Sequence, residues 1–98
     1  MNNIILKIKV KNMIMNKYGD KYDYQLNNIQ INGAKRGCSG FIFNKETKKV
    51  VYISTEISWL KPVLIRTAKN NKDYTGGINN FIDVQDIPNW VEKLTKGD

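Results

Sequence analysis

Apolar and polar residues alternate at the start of the chain. Ile4, Leu6, Ile8 and Val10 share one parity, and Ile5, Lys7, Lys9 and Lys11 the other. That period of two predicts a half-buried strand with one apolar face and one largely basic face. NMIMNKYGD then predicts a short helix, with Asn12 as N-cap and Gly19 just past its end. Tyr22, Tyr24 and Leu26 alternate again, and after Asn27-Asn28 the phase slips to Ile29 and Ile31, the mark of a bulge or an interrupted strand. Asn32-Gly33 opens a turn, which AKRGCSG continues as a Gly-rich connection.

FIFNKETKKVVYIST holds two β-branched and aromatic runs around the polar turn Lys45-Glu46-Thr47-Lys48, a hairpin pattern. EISWLKP reads as an irregular link or one helical turn stopped by Pro62, and VLIRTA as a further strand. INNFIDV fits strand or turn equally. Near the end Asp86 is placed to cap a helix and Pro88 lies in its first turn. Ile87, Trp90, Val91 and Leu94 share one face, and Lys93 and Lys96 precede Gly97. The expected architecture is α+β: a mainly antiparallel sheet of about five strands with the C-terminal helix packed on one face. Residues 1–98 suffice for a single domain with one modest core.

Composition narrows the chemistry. The chain has no histidine, which removes the usual general base, the usual partner of a nucleophilic Ser or Cys, and the commonest metal ligand. One cysteine cannot form an intrachain disulfide or a cysteine-based metal cluster. No catalytic residue, metal or cofactor is therefore expected. No apolar run approaches the ~20 residues of a membrane span, and the start lacks a cleavage pattern, so a cytoplasmic protein without a membrane partner is expected. The net charge is +7, and a basic balance favours phosphate-bearing partners, acidic protein surfaces or anionic membranes. Fourteen of the sixteen bases are Lys, beside thirteen Asn and thirteen Ile, so AT-rich codon usage accounts for the same charge equally well.

Two polar stretches are candidate recognition sites. In Lys35-Arg36-Gly37-Cys38-Ser39-Gly40 the glycines permit amides to converge on an anion while the bases supply charge, without the spacing of a P-loop. The alternative is a solvated hairpin connection, with Cys38 a small buried residue rather than a nucleophile. In RTAKNNKDYTGG, Arg66, Lys69 and Lys72 suit phosphates, Tyr74 suits stacking on a ring, and Asp73 fits a local ion pair with Lys72 that fixes the loop. If both stretches lie at one end of the sheet, Lys35, Arg36, Arg66, Lys69 and Lys72 converge beside Tyr74. Lys7, Lys9 and Lys11 form a secondary stripe with the pitch to track phosphates or to protect a sheet edge. The acid pairs Asp20/Asp23 and Asp83/Asp86 have no further ligands gathered around them in the sequence and read as structural.

KRGCSGFIF, VVYISTE and RTAKNNKDYTGG, spanning roughly residues 35 to 77, resemble small domains of bacteriophages and conjugative elements. Some of these lie within very long polyvalent proteins and others stand alone. The resemblance implies a mobile-element protein acting without catalysis as a counter-defence factor of the anti-CRISPR type. Its partner would be a host defence protein or ribonucleoprotein complex in a bacterial cytoplasm. At +7 the chain cannot mimic nucleic acid, so such an inhibitor would contact guide RNA, target DNA, a nucleotide messenger or an acidic patch. Direct binding to DNA or RNA is the alternative function, and a small nucleotide-acting enzyme the third.

Overall fold

Five antiparallel strands form one sheet in the order of the chain, β1-β2-β3-β4-β5. They are β1 (Tyr22–Ile31), β2 (Ala34–Asn44), β3 (Val50–Thr55), β4 (Val63–Ala68) and β5 (Asn80–Ile82). Helix α1 (Lys7–Tyr18) precedes the sheet. A 3-10 turn (Val84–Asp86) and helix α2 (Ile87–Thr95) follow it. This computed structural model describes residues 5–56 and 59–97, so Ile4 of the expected first strand and Ile57-Ser58 of the link lie outside the described residues. The α+β architecture and the C-terminal helix on the sheet are as the sequence predicts.

One face of the sheet carries the core. Tyr22, Cys38, Ile42, Val51, Ile53, Val63, Ile65 and Ile82 pack against Ile5 just before α1, Val10 and Ile14 from α1, and Ile87 and Val91 from α2. Strand pairing explains the division of faces. Ile42 opposes Val51, Ile53 opposes Ile65, and Val63 opposes Ile82, which aligns the β-branched residues in one layer. Residues of the other parity, among them Gln25, Phe41, Tyr52 and Arg66, form a row across the opposite face. Among the described residues, no helix covers that row.

The amino-terminal region departs from the expected strand. Lys7–Tyr18 is helical, with Val10 and Ile14 buried one turn apart and Ile8 turned to solvent. The alternation fits a strand, whereas Val10 and Ile14 also satisfy the i, i+4 spacing of a helix. The helix is selected because Val10 and Ile14, with Met13 and Tyr18 beside them, complete the cover of the core. Asn12 therefore lies inside the helix, and Leu6 holds the cap position with no side-chain cap bond. Gly19 ends the helix as expected, at φ 67°, its N–H donating to the Met15 carbonyl. The lysine stripe also changes form. Lys7 and Lys11 are one turn apart on one face and Lys9 is on another, so neither strand pitch nor edge protection applies.

The second departure is β2, which begins at Ala34 and absorbs the whole Gly-rich stretch. Only Asn32 and Gly33 remain as the turn, both with positive φ (54° and 81°), as a two-residue hairpin requires. The glycines serve close approach within the sheet. A Cβ on Gly37 would lie 2.1 Å from the Thr55 carbonyl oxygen, and one on Gly40 2.0 Å from that of Gln25. The phase slip after Asn28 is present as a register shift between Ile29 and Gln30. At the carboxy end, Asp86 occupies the cap position without a side-chain cap bond, while Pro88 sits in the first turn as expected.

Candidate functional site

The segment after β4 folds back over the open face of the sheet. Its organiser is Asp73. One carboxylate oxygen accepts the N–H of Lys69 (3.0 Å), and the other accepts those of Thr75 (3.2 Å) and Gly76 (2.9 Å). These bonds, with the nearby Arg66 charge, hold its carboxyl below the usual carboxylate range; partial desolvation opposes them. The expected Lys72–Asp73 pair is replaced by this set of amides, which fixes the turn through the backbone.

Arg66 lies beneath the loop and is only 3% exposed. Its guanidinium stands 4.6 Å over the Tyr52 ring and donates to the carbonyls of Asp73 (3.1 Å) and Thr67 (3.3 Å). Arg66 thus holds the loop from below. Above it, Tyr74 meets Phe41 and Tyr52 edge to face at 5.1 and 5.9 Å, leaving 64% of the residue exposed. The result is a stacked unit of Arg66, Tyr52, Phe41 and Tyr74, in which the arginine supplies position rather than a free cation.

Beside this unit lies a groove of about 540 Å³. Half-buried Phe43 contributes aromatic surface, beside the buried Phe41 and Val50; Gln25 and Asn71 supply amides, and Lys48, Lys69 and Asp23 bring charge. Asn71 donates to the Gln25 side-chain oxygen at 2.7 Å, which ties the loop to β1. The Lys48 ammonium stands 6.0 Å from the Phe43 ring centre. Lys48 lies in the β2–β3 turn in a left-handed conformation, φ 68°. The arrangement offers a flat ring an aromatic surface, amides for hydrogen bonding, and two ammonium groups for phosphate. Among the expected residues, Lys69 lines this groove, whereas Asp73, Arg66 and Tyr74 shape the loop around it and Lys72 is exposed on the same loop.

Lys35 and Arg36 are elsewhere. They begin β2, at the end of the sheet where β3 finishes, and the Arg36 guanidinium pairs with Glu56 at 2.9 Å. The register places the 69–77 loop at the other end, beyond Ala68 opposite Val50. The two stretches therefore do not converge. Cys38 is fully buried, its N–H donating to the Thr55 hydroxyl, and burial pushes its thiol pKa up, against activation as a nucleophile. Of the paired acids, Asp23 faces Lys45 at 4.0 Å and Asp83 faces Lys61 at 3.7 Å.

Sequence reasoning missed Gln25, Phe43, Lys48, Asn70 and Asn71. The alternation placing Gln25 opposite to Tyr24 and Leu26 marked it as facing away from the core, and Phe43 shared that parity with Phe41. What the sequence lacked was the strand order that brings β1, the β2–β3 turn and the last loop together. No protein-family model, curated protein or solved structure matches this chain.

Proposed function

We propose that this protein is a non-catalytic binding module that takes a segment of single-stranded nucleic acid on its open sheet face. The observation that carries this reading is the groove itself. The half-buried ring of Phe43 lies beside the amides of Gln25, Asn70 and Asn71, with Lys48 and Lys69 among the lining residues. Single strands expose both ring faces and base edges, which aromatic surfaces and amides engage, while a duplex buries those faces in its own stack. The counter-defence setting implied by the resemblance belongs to the same proposal. In that setting the bound strand is guide RNA or target DNA of a host defence complex.

The test is fluorescence anisotropy with short single-stranded DNA and RNA oligonucleotides, with duplex of the same sequence as comparison. Single strands are expected to bind in preference to duplex. Phe43→Ala, at a half-buried position, is expected to weaken binding by roughly tenfold or more, in keeping with about 1–3 kcal/mol per stacked base. Failure to bind either single strand at low salt, or affinity indifferent to Phe43→Ala in a folded variant, rejects the reading.

A further inference from the structure

A second surface lies at the end of the sheet away from the groove. Leu60, in the connection from β3 to β4, is 100% exposed, and Trp59 and Phe81 are also exposed. With the stem of Lys61 they line a shallow dent of about 370 Å³. Folding buries none of Leu60 and leaves parts of Trp59 and Phe81 exposed, and a contiguous exposed apolar patch marks a surface that meets another phase or partner. A fully exposed Leu beside a Trp projects from the end of the sheet, a shape suited to insertion.

The charges around this tip fit an anionic surface. Strand pairing puts the start of β2 at the same end, with Lys35 exposed. The first turn of α1 is there too. The Ile5 carbonyl accepts from Thr55, the Lys7 N–H donates to Asn28, and Lys7 and Lys9 are exposed. The carboxylates Glu56 and Asp83 are paired with Arg36 and Lys61, which offsets their repulsion toward an anionic surface. Both helices also begin here; α1 directs the positive end of its dipole this way, while the Asp86 carboxylate at the cap position of α2 offsets that of the second helix. An apolar tip containing Trp and flanked by lysines combines the two signals that hold a protein at a lipid interface, insertion and electrostatic attraction.

We infer that the Trp59–Leu60 tip docks this protein on an anionic lipid bilayer, with Trp59 and Leu60 entering the interface and Lys7, Lys9 and Lys35 facing the headgroups. No helix among the described residues is long and apolar enough to cross a membrane, and this mode needs none. The surface is separate from the groove, so it stands or falls independently of the nucleic-acid reading.

The probes are phosphatidylcholine vesicles with and without phosphatidylglycerol. Trp90→Phe leaves Trp59 as the sole tryptophan. Its emission is expected to shift to the blue and to be quenched by brominated lipid only when phosphatidylglycerol is present. Cosedimentation is expected to weaken at least about tenfold in Leu60→Glu and to fall with salt. Because Leu60 is fully exposed, Leu60→Glu should unfold at the parent temperature, which separates loss of docking from loss of fold. Three results overturn the inference: no sedimentation with anionic vesicles, sedimentation unchanged by Leu60→Glu, or Trp59 emission unchanged on sedimentation. Self-association of the lipid-free protein that Leu60→Glu abolishes also overturns it, since a second copy then covers the patch.

Discussion

Asp73 shows how one side chain can set the shape of a binding surface. Its carboxylate gathers three backbone amides, and its carbonyl receives the Arg66 guanidinium. Asp73→Ala removes all three side-chain acceptor contacts. The 69–77 loop is then expected to open and Tyr74 to leave Phe41 and Tyr52, seen as faster hydrogen exchange at Lys69, Thr75 and Gly76. Acid should act in the same direction. The carboxyl pKa is lowered in the folded protein, so its contribution is present above the unfolded value of about 3.9 and is lost as pH falls through the lowered folded value. A pH titration of those amide signals by NMR is expected to show a transition below the usual carboxylate range. A transition at or above that range contradicts this account. The sequence displayed Asp73 and Tyr74 as neighbours in a polar loop, but their partners come from residues two to seven positions away and from β2, β3 and β4. Sequence order holds no direct record of those contacts.

At the scale of elements, the parts that were legible share one property: their pattern admits a single reading. FIFN, VVYIST and VLIRTA are short β-branched or aromatic runs, and each is a strand. The Lys7–Tyr18 region admitted two, because Val10 and Ile14 satisfy helical spacing while the preceding residues alternate. The start of β2 was hidden by glycines, whose common meaning is a turn. Here they allow Thr55 and Gln25 to approach, a requirement visible only once strands pair. Asn44 was overlooked for the same reason. Buried at the end of β2, it donates to the Thr95 carbonyl and hydroxyl and accepts the N–H groups of Glu46 and Thr47. It thereby joins the β2–β3 turn to the end of α2. Asn44→Ala leaves partners of these bonds unsatisfied and is expected to destabilise the fold by about 2–3 kcal/mol. Chemical denaturation should show that loss, whereas a change below about 0.5 kcal/mol contradicts the role assigned to this contact.

Across the whole molecule, the sequence showed how much charge there is but not where it lies. Of the sixteen basic residues, Lys48 and Lys69 line the groove, Arg66 is buried under the loop, and Arg36 is paired at the far end. Lys7, Lys9 and Lys11 are carried on α1, across the sheet from the open face. A single strand in the groove therefore meets two of these ammonium groups, or three if Lys72 on the adjoining loop is included. Counterion release for single strands gives a slope of roughly −0.7 per neutralised phosphate in a plot of log affinity against log salt. Two or three contacts predict a slope of about −1.4 to −2.1, so affinity falls only about sevenfold to twentyfold between 50 and 200 mM salt. Anisotropy titrations over that range measure the slope directly. Lys48→Ala and Lys69→Ala should each reduce its magnitude by about 0.7. A slope several times steeper requires a strand that leaves the groove and runs over lysines elsewhere on the molecule, and it would replace the compact site with an extended electrostatic track.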